Sequence, residues 1–288
     1  MNGTLLNVAR KQTQNAFERL VETRQSVKPP FLANEYAALL GIESIREDLG
    51  ELDALLLPMK DGYRIKVNEK HHPVRQNFSC AHEIGHLILN RIINESQIAV
   101  PKFRSVNASG EAHFAEKLCN RIAAELLMPE LPFRNALLSL GASVTSISSL
   151  AKIFYTSVLA TAIRIAEMCP EPCIALYWRK AQRRGWRKEK PCLILAVDNA
   201  DELELPSSPY GIPKLIAPKP NSSVSRALET NLMVGGFESF PLGSVARPFY
   251  IESKAFGRDP RYVISLVFPD RKKHTSLASK PASMRSAN

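Results

Sequence analysis

The chain has 288 residues, of which 45% are hydrophobic and 23% charged, so it can bury a sizeable core and is not disordered as a whole. The net charge of +10 favours acidic partners, although charge alone does not identify an activity. The five scattered cysteines do not resemble a secreted disulfide framework, and no apolar run is long enough for a signal peptide or a membrane span. We therefore expect a cytoplasmic protein without a membrane partner.

The first 140 residues are predicted to be mainly helical. Apolar periodicity indicates the helices, Pro129 and Gly141 mark two of the helix ends, and Lys60-Asp61-Gly62 is typical of a hairpin turn between two strands. Helices are expected at residues 8–27, 31–40, 76–93, 111–128 and 131–140, and strands at 55–58 and 63–67.

The pattern changes in the second half of the chain. Residues 146–168 predict two short helices that break near Thr156-Ser157, and strand patterns follow at residues 174–178, 192–197 and 262–268. The fold class is therefore α+β. We expect a helical part with a small β-sheet at residues 1–140, a helix-turn-helix-like pair at 141–168, a mainly antiparallel α+β domain at 169–270 and a disordered basic tail at 271–288.

The segment Ala81-His82-Glu83-Ile84-Gly85-His86-Leu87 contains the motif His-Glu-x-x-His inside a predicted helix. Residues four apart on a helix are separated by about 40° around its axis and roughly 6 Å along it, so both imidazoles can reach one zinc ion. Zinc lowers the pKa of a bound water to about 7, and Glu83 can take the proton of that water as general base. This arrangement predicts a zinc-dependent peptide hydrolase, although manganese or iron also suits such ligands.

A third ligand is expected on the next long helix, because a catalytic zinc usually has three protein ligands. His113, Glu116 and Asn120 share one face of that helix. We favour Glu116 as the ligand, with the Asn120 side-chain oxygen accepting a hydrogen bond from a zinc-bound imidazole, as in thermolysin-like enzymes. His113 is the alternative third ligand, or a group that polarises the scissile carbonyl.

Two motifs together resemble the ImmA/IrrE family of metallopeptidases. The first is the stretch from Arg75 to Leu87, which includes the His-Glu-x-x-His motif. The second runs from Glu116 to Pro129 and resembles the family pattern Glu-x-x-Ala-Asn-x-Phe-Ala-x-x-Leu-Leu-Met-Pro, with Cys119 and Ile122 in place of the usual alanine and phenylalanine. We interpret both departures as packing positions.

The resemblance, which covers roughly residues 30 to 168, carries several implications. It implies a gluzincin-like fold with ligands at His82, His86 and Glu116 and the base at Glu83. It also implies a substrate class, namely a helix-turn-helix transcriptional repressor, cleaved in a stress or mobile-element response. In longer, IrrE-like members the metallopeptidase part precedes a helix-turn-helix-like unit and a GAF-like sensory domain, and by this analogy residues 169–270 are GAF-like.

The strand that precedes the zinc helix is a predicted substrate-binding edge. Strand edges near the metal of zincins hold the substrate as an added strand through main-chain hydrogen bonds. The residues concerned are Tyr63, Arg64, Ile65, Lys66 and Val67. An ordinary strand of the sheet is the competing interpretation.

A non-proteolytic regulator, which binds a repressor or nucleic acid through a zinc-containing domain, is the alternative function. Its main support is the stretch from Tyr177 to Lys188, in which Trp178 and Trp186 alternate with basic residues. We favour a solvated hairpin with its tryptophans in the core, because charge runs are usually solvated faces. The intact Glu83 also argues against a pure binding role.

Overall fold

The protein folds as a mixed α+β structure, as the sequence predicted. The computed structural model describes residues 2–96, 111–181, 190–198, 217–240, 248–258 and 262–271. The helices of these residues are α1 (Asn2–Arg24), α2 (Ala33–Leu39), α3 (Pro73–Ser96), α4 (Glu111–Leu127), α5 (Glu130–Leu140), α6 (Ile147–Phe154), α7 (Val158–Met168) and α8 (Ser223–Thr230). The strands are β1 (Glu43–Glu47), β2 (Ala54–Met59), β3 (Gly62–Asn68), β4 (Ile174–Ala181), β5 (Lys190–Asp198), β6 (Val234–Glu238), β7 (Phe249–Phe256) and β8 (Tyr262–Phe268).

Helix α3 lies at the centre of the N-terminal part, in contact with α1, α2, α4, β2 and β3. Pro73 opens the helix, where its missing N–H costs no hydrogen bond. Because α3 has neighbours on several sides, its apolar residues are buried all round the axis rather than along one stripe. They are Cys80, Ala81, Ile84, Leu87, Ile88, Leu89 and Ile92.

The first sheet has the strand order β1-β3-β2, which corrects the expected substrate edge. Strand β3 pairs in parallel with β1 and antiparallel with β2. Residues Tyr63, Arg64, Ile65, Lys66 and Val67 therefore lie on the central strand, and the prediction that they form an open edge is wrong. It failed because the sequence did not reveal β1, whose residues Glu-Ser-Ile-Arg-Glu contain a single apolar side chain.

Helices α6 and α7 form a bent pair, and the charged side chain of Arg164 in α7 is buried. The pair is bent by 104° at a break where Tyr155 adopts left-handed backbone angles, and Ser157 caps α7 by accepting a hydrogen bond from the Ala160 N–H. Arg164 is 1% exposed and donates to the main-chain oxygen of Met128 and to Glu167. The one basic residue of α7 is thus part of the protein interior, in keeping with a structural role for this pair.

No single helix in the described part of the chain is long and apolar enough to cross a membrane. The bent pair α6–α7 meets the length and composition criteria only when its two helices are taken together.

The second sheet is antiparallel, with the strand order β5-β4-β8-β7-β6, and it is buried on both faces. Side chains alternate along each strand, so Ala175, Ile264 and Leu266 join the core of the helical part. Their neighbours Leu176 and Val263 belong to a separate core on the opposite face, to which α8 contributes. Burial on both faces explains why strands β4 and β8 read as nearly continuous apolar runs.

Trp178 belongs to this second core. It is 2% exposed, and its indole N–H donates to the hydroxyl of Ser265, which contacts the hydroxyl of Ser253 at 2.7 Å. Trp178 therefore packs in the interior, as we favoured over a role in nucleic-acid binding. Trp186 and the basic residues around it lie outside the described residues.

Arg271 joins the helical part to the second sheet. Its guanidinium donates to Glu171, to Glu252 and to the main-chain oxygen of Ala142, and it lies 3.6 Å above the ring of Phe268. The expectation of disorder is therefore wrong for Arg271 itself, because a guanidinium stacked on an aromatic ring and paired with carboxylates is held in place. Residues 272–288 of the predicted tail lie outside the described residues.

Candidate metal centre

Helices α3 and α4 cross closely at Gly85, within the His-Glu-x-x-His motif. A Cβ atom at Gly85 would lie 3.0 Å from the main-chain oxygen and 3.1 Å from the Cα of Cys119. Only a glycine allows this approach, which brings the residues beside Cys119 up to the two histidines. The crossing thus brings Glu116 of α4 close to the two histidines of the motif on α3.

His82, His86 and Glu116 form a compact triangle of ligand atoms. The two histidine Nε2 atoms lie 3.1 Å apart, and the Glu116 carboxylate oxygens lie 3.2 Å from His82 Nε2 and 3.5 Å from His86 Nε2. Ligand atoms about 2.0–2.2 Å from a tetrahedral zinc ion lie roughly 3.3–3.6 Å from one another. The chain therefore presents two imidazole nitrogens and a carboxylate at separations that suit one metal ion.

The protonation of His86 suits a ligand role. Burial lowers the pKa of His86, and the neighbouring His82 lowers it further. The imidazole is therefore neutral at pH 7, and a neutral ring nitrogen has the lone pair that a metal requires.

The second ring nitrogens of both histidines are also engaged. His82 Nδ1 lies 2.9 Å from the Asn120 side-chain oxygen, which can only accept, so the ring carries its proton on Nδ1 and leaves Nε2 free to bind a metal. This is the position that the spacing of Glu116 and Asn120 predicted. On the other imidazole, His86 Nδ1 lies 3.4 Å from Cys119 Sγ.

Glu83 lies beside the triangle but is not part of the ligand group. Burial raises the pKa of the Glu83 carboxyl, while the neighbouring His82 and a hydrogen bond from the Leu56 main-chain N–H oppose this rise. A carboxylate with a raised pKa accepts a proton more readily near neutral pH, as a general base must. Glu83 therefore lies beside the ligand triangle with a raised pKa, and its role as the general base stays a prediction.

The contact of Leu56 with Glu83 shows that β2 is the strand next to the centre. Since the Leu56 N–H points at Glu83, this residue faces away from β3, and the alternation of an antiparallel ladder places Ala54 and Pro58 outward as well. Pro58 lacks an N–H and suits an outward position on an edge strand.

The sequence did not reveal two of these contacts. Cys119 was interpreted as a packing position and Leu56 as an ordinary strand residue. Pro58 was the one signal of an edge strand near the hairpin. The side chain of His113 lies outside the described residues, so its role as an alternative ligand or carbonyl-polarising group stays a prediction.

A histidine pair on one helix, joined by a glutamate from the next and flanked by a non-ligand glutamate, is the ligand and base set of zinc metallopeptidases. Comparison with protein families agrees with this class. Residues 37–166 match the model described as the IrrE N-terminal-like domain, peptidase M78. Residues 37–166 are thus similar to the metallopeptidase domain of the ImmA/IrrE family.

Similar proteins support the same assignment. The chain is 31% identical over 110 residues to the radiation response metalloprotease IrrE of Deinococcus radiodurans, a match that covers 38% of this chain and 33% of that protein. The chain thus matches about a third of the length of this relative. A solved structure of a Mycobacterium tuberculosis transcriptional regulator has a similar fold, with a TM-score of 0.61, 15% identity and coverage of 93% of this chain and 80% of that one.

Proposed function

We propose that the protein is a zinc-dependent endopeptidase that hydrolyses one peptide bond in a regulatory protein. The observation that carries the proposal is the triangle of His82, His86 and Glu116, with separations of 3.1 Å to 3.5 Å, beside a glutamate that is not a ligand. The similarity to a protein named as a metalloprotease gives independent support.

Each residue of the centre has a separate role in this proposal. His82, His86 and Glu116 would hold the zinc ion, which would supply Lewis-acid chemistry for the scissile carbonyl and the attacking water. Glu83 takes a proton from that water and passes it to the nitrogen of the leaving amine. Asn120 holds the imidazole of His82 in the tautomer whose Nε2 faces the ion.

Among the described residues β2 is an edge strand of the first sheet, and this edge supports a peptide as the substrate. An extended segment can add to this edge because the main-chain oxygens of Ala54, Leu56 and Pro58 point away from β3. The scissile carbonyl would then lie next to Glu83, which already contacts the Leu56 N–H. In this proposal β2 takes the role that the sequence assigned to β3.

The substrate proposed on the resemblance is a helix-turn-helix transcriptional repressor. Cleavage would relieve repression in a stress or mobile-element response. The name of the Deinococcus relative, a radiation response metalloprotease, accords with a stress role. The C-terminal sheet would be the sensory part, by analogy with longer family members.

The test is incubation of the purified full chain with the helix-turn-helix repressor encoded nearest to its gene. We expect one cut, visible by intact mass, that requires zinc or manganese and is abolished by a chelator. Glu83→Gln should retain zinc and lose cleavage, because the base is removed while the ligands remain. The exposed Glu22→Gln serves as the control and should cleave normally.

Two results would contradict this function. Cleavage by Glu83→Gln at the native rate would exclude Glu83 as the base. A stable, uncleaved complex with the repressor would instead favour the non-proteolytic regulator, which acts by binding.

A further inference from the structure

The family pattern suggests that residue 119 only packs, but the Cys119 thiol also contacts a proposed metal ligand. Its Sγ lies 3.4 Å from Nδ1 of His86, and the residue is fully buried. The family pattern has alanine at this position, and an alanine side chain has no atom that could accept a hydrogen bond. The thiol is therefore a feature of this chain that contacts one of the proposed metal ligands.

The geometry of His86 defines which atom donates the hydrogen bond between His86 and Cys119. His86 Nε2 faces His82 Nε2 at 3.1 Å and Glu116 Oε1 at 3.5 Å, so Nε2 is the atom directed at the metal position. A neutral imidazole that offers a lone pair at Nε2 carries its hydrogen at Nδ1. The Nδ1–H group of His86 then points at Cys119 Sγ, and the sulfur accepts.

Cys119 and Asn120 act on the two imidazoles in the same way. They are neighbours on α4, and Asn120 accepts from Nδ1 of His82 just as Cys119 does from Nδ1 of His86. The helix that supplies Glu116 thus also contacts both histidines from behind. A methyl group added at Gly85 would lie 3.3 Å from the Cβ of Cys119, which shows how tightly the backbone holds the thiol here.

We propose that Cys119 is a positioning residue that fixes the ring rotation and tautomer of His86 for metal binding. The inference rests on the proposed metal centre. Partners of this kind contribute about 10- to 100-fold to metal affinity, and sulfur is a weak acceptor, so the expected contribution is at the lower end, about tenfold.

The experiment compares the zinc affinity of Cys119→Ala and Cys119→Ser with that of the native full chain. Metal-free protein is titrated with zinc in competition with a chromophoric chelator, and the absorption spectrum of the cobalt-loaded protein reports the ligand geometry. Alanine should weaken zinc binding by about tenfold and change the cobalt spectrum, while serine, whose hydroxyl accepts, should restore most of the affinity. Cys192→Ala replaces another buried thiol, far along the chain in β5, and should leave the affinity unchanged.

The possible outcomes distinguish a role of Cys119 in positioning His86 from a role in packing alone. Equal zinc affinity in the native chain and in Cys119→Ala would overturn the proposal, and so would equal losses in the alanine and serine variants. Melting temperatures of the metal-free variants report any loss of packing. If Cys119→Ala does not fold, an unchanged cobalt spectrum and affinity in Cys119→Ser still supports an accepting atom at this position. Absence of zinc binding by the native chain would overturn the metal centre itself, a result distinct from a failure of Cys119 alone.

Discussion

Gly85 is the residue on which the approach of α3 and α4 depends. An added methyl group would lie 3.0 Å from the main-chain oxygen of Cys119, and this atom belongs to a helix backbone that cannot move alone. The two helices would have to separate, and the ligands of the metal centre are divided between them.

We expect Gly85→Ala to destabilise the protein by about 1–3 kcal/mol through overpacking. It should also weaken zinc binding, since Glu116 would move away from the histidines. Gly236→Ala is the control, because a Cβ there meets nothing within 4 Å. Denaturant unfolding and zinc titration would measure both effects, and native behaviour of Gly85→Ala would show that α4 can shift at no cost.

Cys169 and Cys173 form a thiol pair at the junction of α7 and β4. A hydrogen bond from the Cys173 thiol lowers the pKa of Cys169 to about 7. The same bond, together with burial, raises the pKa of Cys173. Because its pKa is depressed, Cys169 becomes a thiolate as the pH rises through 7, whereas Cys173 stays neutral.

Alkylation should therefore distinguish the two cysteines. We expect iodoacetamide to label Cys169 with a rate that rises with pH around a midpoint of about 7, as followed by peptide mass mapping. Cys173→Ala removes the donor and should move the midpoint towards the ordinary thiol value of about 8.5, while Cys173→Ser retains a donor and should not. An unchanged midpoint in Cys173→Ala would show that the thiol of Cys173 does not stabilise the thiolate.

At the level of elements, an ion-pair network ties α7 to α4. Arg164 and Arg121 both donate to Glu167, at 2.9 Å and 3.1 Å, and Arg121 also donates to Glu125. Arg164 lies in the interior and its partners are mostly buried, so a charge left without its partner there is costly. Glu125 therefore has a structural role through its pair with Arg121.

We expect Arg164→Met to lower the free energy of unfolding by about 3 kcal/mol, because Glu167 and the Met128 main-chain oxygen would lose a buried donor. Arg134→Ala removes an exposed pair with Glu130 and should cost less than about 1 kcal/mol. Urea unfolding monitored by circular dichroism compares the two variants. A loss for Arg164→Met no larger than the control would mean that water replaces the guanidinium.

On the scale of the whole molecule, a few polar contacts join the helical part to the second sheet. Glu252, which is 6% exposed, accepts from the Ser143 hydroxyl and from the Val144 N–H, and Arg271 donates to Glu252 and to Glu171. Apolar side chains of the sheet and of the helices also pack together in one core at this junction.

We expect Arg271→Ala to lower the free energy of unfolding by about 1.5–3 kcal/mol, since it removes hydrogen bonds between charged groups. The loss should also make the segment from Cys169 to Cys173 more sensitive to limited proteolysis. The exposed Arg226→Ala is a control of equal charge change. Native protease resistance of Arg271→Ala would show that the apolar contacts alone hold the junction.

The sequence by itself determined the local features of this protein. Two histidines four apart on a helix face the same way because of helical geometry, and Glu116 and Asn120 share a face of α4 for the same reason. Apolar periodicity likewise located α3, α4 and the strands β4 and β8, whose burial follows from local pattern.

Only the tertiary structure decided which of these elements meet. Strand β1 has little apolar pattern, and the sequence therefore did not show that it pairs in parallel with β3. This pairing closes the predicted edge, and β2 is left at the edge of the sheet among the described residues. The Leu56 N–H reaches Glu83, and the thiol of Cys119 reaches His86, across gaps of 27 and 33 residues. Such contacts depend on the distance between backbones, which Gly85 sets for α3 and α4, and the periodicity of a single segment does not determine that distance.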